Sequence, residues 1–170
     1  MPFAIWITGL PGSGKSTIAK ELAKKIDAKI LRLDKFRKEL VPNPKFTDKE
    51  REFVYTKLTE KGSKLSKKKN IIFDATDNLN IGRKRAKQTI KKFFVVQIEC
   101  PINICEEREQ KRTDKAEVQD IYNKARKGEI KLPGFNDNYI TEKTPLIIIN
   151  SEKLSPIEAT ELISKKIRNI

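Results

Sequence analysis

The residues best able to do chemistry lie close to the amino terminus, in GLPGSGKST from Gly9 to Thr17. Gly9, Gly14, Lys15 and Ser16 satisfy the spacing GxxxxGK[ST], and Gly12, Ser13 and Thr17 complete the loop. Glycines let the backbone curl until its N–H groups point inward at phosphate oxygens, and a helix starting near Lys15 adds the positive end of its dipole. Lys15 is expected to reach the β- and γ-phosphates and Ser16 to hold Mg²⁺. The apolar FAIWI that precedes the loop and the amphipathic run that follows it supply the strand–loop–helix context the motif needs. The stretch therefore predicts a nucleoside-triphosphate site.

What receives the phosphate depends on acids elsewhere. A motor or switch ATPase needs a second acidic motif after an apolar run, and IIFDA, ending at Asp74, is the candidate. A small-molecule kinase instead needs an acid at the tip of the second strand. LRLDKFRKEL offers Asp34 there, with Arg37 one helical turn later. Asp34 is expected to orient or deprotonate an acceptor hydroxyl, and Arg37 to bind an anionic group on the acceptor. A helix N-cap is the other job open to Asp34. Arg108 and Arg112, four apart in CEEREQKR, are placed on one helix face to cover the transferring phosphoryl group. Surface pairing with Glu106, Glu107 or Glu109 is the alternative for both. Asp74 and Asp77 are further candidates for the water shell of Mg²⁺. The chain has no histidine, which excludes His-based triads and the commonest metal ligand.

The elements that must position these groups alternate along the chain. FAIWI, AKILRL (28–33), NIIFDA (70–75), FFVVQIEC (93–100) and PLIIIN (145–150) read as five strands. Helices are expected over Lys15–Lys25, after AKILRL until VPNP, from a capping box at Thr47 and Glu50, over Ile81–Lys92, through the charged stretch to Lys127, and from Ser155 with Glu158. Apolar strands separated by helices imply an α/β fold with a mostly parallel five-stranded sheet covered on both faces. The fold expected is that of P-loop NTPase kinases, as a single domain over 1–170. The polar stretch from Arg112 to Lys143, with Arg108 at its entrance, is the expected lid over the sheet's carboxyl edge (about 108–143).

The chain has 170 residues, 37% of them hydrophobic. No apolar run approaches the roughly 20 residues of a membrane span. The start MPFAIWITGLPG has no basic leader or small-residue cleavage site, and Cys100 and Cys105 lack a metal-type spacing. A reduced, cytoplasmic protein is expected. The net charge of +14 favours anionic small molecules. Its basic residues are scattered over most expected helices, and KKK at 67–69 falls in a turn. We read the charge as solvated surface of the Lys/Glu/Ile-rich kind that heat-adapted proteins show, with a nucleic-acid partner as the open alternative.

Beyond the loop, LDKFRKEL, FTDKER, ECPINICEERE, IYNKARKGEIK, NDNY and TEKTPLIIINSEKLSP occur in an order that resembles the adenylylsulfate (APS) kinases. The resemblance implies transfer of the γ-phosphate of MgATP to the 3′-hydroxyl of adenosine 5′-phosphosulfate to give PAPS, in sulfate assimilation, and often a homodimer. It places Asp34 beside the acceptor hydroxyl and Arg37 and Arg51 on the phosphosulfate. Phe46 stacks on the substrate adenine, Lys131 precedes an aromatic loop, and Phe135 is a shifted partner for the other adenine face. The departures are local. Arg32 and Leu33 stand where the family has an acid and a glycine, and Val54 where it has asparagine. FDATDNLN replaces a serine-proline stretch, and about eight residues within EQKRTDKAEVQD are inserted. FDAT with Arg83 downstream is more like kinases of polynucleotide 5′-ends and of aminoacylated tRNA. A kinase of another small alcohol, nucleoside or amino acid, a nucleic-acid 5′-hydroxyl kinase, and a nucleotide switch without phosphotransfer are the alternatives.

Overall fold

The computed structural model describes residues 1–45, 47–113 and 120–169. The first strand, β1 (Ala4–Thr8), is buried along its whole length. It lies at the centre of a sheet with β2 (Ala28–Arg32), β3 (Asn70–Asp74), β4 (Phe93–Glu99) and β5 (Ile147–Asn150), ordered β2-β3-β1-β4-β5. Every pairing is parallel, so the sheet is more regular than the mostly parallel one expected.

A parallel sheet has helices on both faces, which is why its strands read as nearly continuous apolar runs. Alternate residues of β1 divide between two cores. Trp6 faces Phe73, Leu31, Tyr55 and Leu58, under α2 (Leu33–Leu40), α3 (Asp48–Leu65) and α4 (Ile81–Thr89). Ile5 and Ile7 face Ile72, Val96, Ile98 and Ile149, under α1 (Lys15–Ile26) and α7 (Pro156–Arg168). Trp6 stacks on Phe73 with centroids 4.7 Å apart. Gly82 lets α4 approach this pair, since a Cβ there would stand 2.2 Å from the Trp6 ring. Val54 is fully buried in the same core.

Local chemistry sets the helix ends. Thr47 caps α3 by accepting from the Glu50 N–H, while the Glu50 carboxylate reaches back to the Lys45 N–H. Ser155 and Glu158 form a complete capping box on α7. The second strand ends one residue early because Leu33 already opens α2, and among the described residues the charged stretch after β4 yields two short helices, α5 (Ile102–Gln110) and α6 (Ile121–Arg126). Lys67–Lys69 lie in an exposed turn, as expected. After β1 the chain builds one side of the sheet through β2 and β3, then crosses to β4 and β5. The carboxyl end of β1 is thus the point where the winding reverses and where such sheets hold ligands.

Candidate active site

The loop between β1 and α1 lies at that point. Gly12 has φ +81° and packs so closely on α5 that a Cβ would meet the Cys105 carbonyl oxygen at 2.2 Å, so the turn requires glycine twice over. The Lys15 ammonium is buried and donates to the Leu10 carbonyl at 2.8 Å. Burial pushes its pKa below the usual lysine value, while the carboxylates of Asp74 and Asp34 oppose that shift. Ser16 Oγ donates to Asp74 Oδ2 at 2.7 Å, and Arg32 Nε donates to the same oxygen at 3.3 Å. Ser13 Oγ is buried without a hydrogen-bond partner among the described residues.

A cleft of about 1000 Å³ opens in front of this loop. Its wall includes Lys15, Ser16 and Thr17 from the loop and α1, then Asp34 and Arg37 from α2, and Arg51 from α3. Asp74, Arg108, Arg112 and Lys131 complete the set of expected residues that line it. Asp34 is the second residue of α2, its side chain 80% exposed, and the cap position is Arg32. The capping role open to Asp34 is therefore not the one it takes. Arg37 Nη1 lies 4.0 Å from Asp34 Oδ1. Arg51 Nη1 lies 3.6 Å from Asp137 Oδ2, which also accepts from the Asn78 side-chain amide at 3.2 Å.

The two expected lid arginines part company. Arg108 Nη1 donates to Ser151 Oγ at 3.2 Å and its Nη2 to the Ser151 carbonyl at 2.7 Å. Ser151 Oγ donates in turn to the carbonyl of Ser13 at 2.7 Å, and a Cβ on Gly14 would lie 3.8 Å from Arg108 Nη1. Arg108 is thereby fixed against the phosphate loop. Arg112 lies beyond the end of α5, which stops at Gln110, so the two do not share a helix face. The chain tightens there through an Arg112 N–H to Glu109 carbonyl bond, and the Arg112 guanidinium pairs with Glu109 at 3.1 Å.

Asp77 is not placed to serve a metal. Its fully buried carboxylate accepts from the N–H groups of Gly82 and Arg83 at 3.1 and 2.7 Å, and from Arg83 Nε at 3.3 Å. These bonds satisfy the free N–H groups at the start of α4 and engage both carboxylate oxygens. Arg83, itself fully buried, also donates to the Ile140 carbonyl at 2.6 Å. The residue that looked like the mark of a nucleic-acid or tRNA-directed kinase is an internal brace between α4 and the backbone at Ile140. Removing one partner of a buried pair strands the other charge, at a cost of about 3–5 kcal/mol. Arg83→Met is therefore expected to lower Tm by roughly 10 °C, read by differential scanning calorimetry. A change within about 2 °C would show that the brace contributes little.

Phe135 is also displaced from its expected role. It is 39% exposed and packs edge-on against Tyr122 at 5.8 Å, with the Arg126 guanidinium 5.6 Å from its ring centre. It does not line the cleft and packs instead on Tyr122 of α6. Phe46 lies outside the described residues. Several contributors carry no sequence signal of their own. The Tyr122 hydroxyl donates to the Pro11 carbonyl at 2.9 Å, pinning α6 to the phosphate loop, and Leu132 joins Cys105 and Leu10 in a small apolar cluster beneath it. Asn136 ties the following loop by donating to the Ala125 and Ile130 carbonyls at 2.9 Å each. Cys100 and Cys105 are free, and burial, with Cys100 beside it, pushes the Cys105 thiol up to about 12.

Ser16 and Asp74 are hard oxygen donors of the kind Mg²⁺ takes, and Mg²⁺ keeps several waters and leans on substrate phosphates. Among the described residues no group of three or more His, Cys, Asp or Glu is arranged to hold a metal. The donor set therefore fits a cation brought with a nucleotide, not a cage made by the protein.

The sequence model of the family described as adenylylsulphate kinase matches residues 1–150. The chain belongs to the adenylylsulphate kinase family. The probable adenylyl-sulfate kinase of Archaeoglobus fulgidus is 32% identical over 160 residues, covering 90% of this chain and 98% of that protein. The adenylyl-sulfate kinase of Clostridium kluyveri is 35% identical over 156 residues, covering 86% and 74%. Among solved structures, the Mycobacterium tuberculosis APS kinase in complex with AMPPNP and APS superposes with a TM-score of 0.84 at 26% identity, covering 98% of both chains. The α/β P-loop kinase fold follows from this family and from the sheet order. No helix among the described residues is long and apolar enough to cross a membrane.

Proposed function

We propose that this adenylylsulphate kinase transfers the γ-phosphate of MgATP to the 3′-hydroxyl of adenosine 5′-phosphosulfate, giving PAPS for sulfate assimilation. The observation that carries the reading is the shared cleft. The phosphate loop, Asp34 and the two arginines Arg37 and Arg51 line one cavity of about 1000 Å³. The relatives' names and the neighbour that holds AMPPNP and APS point to the same pair of substrates.

In this reading Lys15 leaves the Leu10 carbonyl to bind the β- and γ-phosphates, and loop N–H groups hold the remaining oxygens. Asp34 accepts the proton of the attacking hydroxyl, or orients it, so that the oxygen faces the γ-phosphorus in line. Arg108, held by Ser151, supports charge that spreads over the transferring group. Ser16, with Asp74 behind it, would hold Mg²⁺, which supplies neutralising charge to the phosphates. Arg37 and Arg51 bind the phosphosulfate. Residues 108–143 act as the lid that excludes water, with Arg112 and Lys131 at its cleft-facing rim.

The direct test is ADP release from MgATP with a panel of APS, AMP, adenosine, serine and a 5′-hydroxyl oligonucleotide. Turnover with APS alone is expected, and turnover with another alcohol beside silence with APS would move the acceptor assignment. Arg51→Ala is expected to raise KM for APS roughly 10–100-fold, the worth of one charge-assisted hydrogen bond. KM for ATP should stay within about twofold. Equal weakening of both substrates would remove Arg51 from the acceptor side.

A further inference from the structure

Arg32 is the last residue of β2 and stands in register beside Asp74, the last residue of β3. Neighbouring positions on adjacent parallel strands point to the same face, so the two side chains are held together by the sheet itself. The Asp74 carboxylate is 95% buried by its side-chain exposure of 5%, whereas Arg32 is 37% exposed and lines the cleft. One oxygen, Asp74 Oδ2, receives both the Ser16 hydroxyl at 2.7 Å and Arg32 Nε at 3.3 Å. The Ser16–Asp74 pair is the oxygen donor set that fits a divalent cation. This chain therefore places a permanent positive charge directly on the carboxylate that would serve the metal.

We propose that Arg32 is a positioning residue that competes with the divalent cation for Asp74, and so sets how strongly Mg²⁺ couples to nucleotide binding. The inference rests on the reading of the cleft as a MgATP site. The guanidinium does two things with opposite signs. It keeps Oδ2 turned toward Ser16, and it cancels part of the negative potential that Asp74 offers a cation. Because the carboxylate is nearly dry while the guanidinium is 37% exposed, solvent weakens the second effect only in part. The neutral substitution should therefore tighten the metal coupling.

The experiment is calorimetric titration of ADP into the whole protein, with EDTA and with saturating Mg²⁺. It is repeated for Arg32→Ala, Arg32→Gln and Arg32→Lys, with Tm measured for each. The ratio of the two ADP dissociation constants is the coupling factor, and by linkage it equals the effect of ADP on Mg²⁺ affinity. Removing the charge in Arg32→Ala or Arg32→Gln is expected to raise this factor roughly 5-fold or more, with Arg32→Lys within about twofold of the starting protein. Manganese binding followed by electron paramagnetic resonance should show the same order. An unchanged or smaller factor in both neutral variants, at unchanged Tm, would overturn the proposal and leave Arg32 as a clamp on the β2 edge. The glutamine variant retains the length of the side chain should alanine loosen that edge. Failure of the unaltered protein to bind ADP under either condition would instead overturn the MgATP reading, and the proposal with it.

Discussion

Lys15→Met is expected to abolish phosphotransfer while making the protein more stable. Loss of one preorganised charge on a developing phosphoryl transition state costs about 10³-fold or more in kcat. ATP binding should weaken by about 10-fold. Lys15 is the ammonium group of the loop, and the Leu10 carbonyl it now holds keeps a second donor, the Ser13 N–H at 3.1 Å. No backbone group is stranded by the change. The stability gain follows from the direction of its pKa. Burial lowers the folded-state pKa of Lys15 below its unfolded value of 10.5, so between those two values the unfolded chain binds more protons. Stability then rises with pH through that window, and below it the buried charge is a full penalty. Methionine has no such penalty at neutral pH. Rapid-quench measurement of a single turnover and thermal denaturation at pH 7.5 check the two halves together. A fall in Tm would mean that Asp74 and Asp34 outweigh burial at Lys15, and retained turnover would remove Lys15 from the chemistry. Lys15→Arg is not expected to rescue, because a planar guanidinium does not fit a point-charge site in a closed loop.

Asp34→Asn should lower kcat by about 10²–10⁴-fold, the range for removing a positioned proton acceptor. The change is isosteric, and Asp34 is exposed at the start of α2 without capping it, so the fold should not notice. ATP affinity measured by titration should stay within about twofold, since Asp34 comes from α2 and not from the phosphate loop. The pair of results separates a kinase from a nucleotide switch. In a switch, neither number would move. A parallel loss of ATP affinity would place Asp34 on the donor nucleotide and leave the acceptor without this base.

The residues that reasoning from sequence located well are those whose role is local. GLPGSGKST is read correctly as a loop because glycine freedom and the turn into α1 are contained within nine residues. The caps at Thr47 and Ser155 are three-residue devices, and both form. The parallel sheet was legible because burial on both faces leaves an apolar run with no polar alternation. Arg112 was misplaced by carrying one helix through the charged stretch to Lys127, whereas α5 stops at Gln110, an error of helix ends, which depend on caps and not on periodicity.

The misassigned site residues share a different cause. Asp77 and Phe135 have the right chemistry, but their partners come from elsewhere in the fold: Arg83 and the start of α4 for one, Tyr122 and Arg126 on α6 for the other. The same distance hides the useful partners. Ser151 meets Ser13 across 138 positions, Tyr122 meets Pro11 across 111, and Arg32 meets Asp74 across 42. By itself the sequence determined a phosphate loop on a parallel α/β scaffold, and a set of acids and arginines from which a kinase site could be built. Tertiary structure alone decided which of those groups face the cleft. A carboxylate or an aromatic ring has the same intrinsic chemistry anywhere, and only burial and the neighbour across the sheet determine whether it binds substrate, holds another side chain or closes a core.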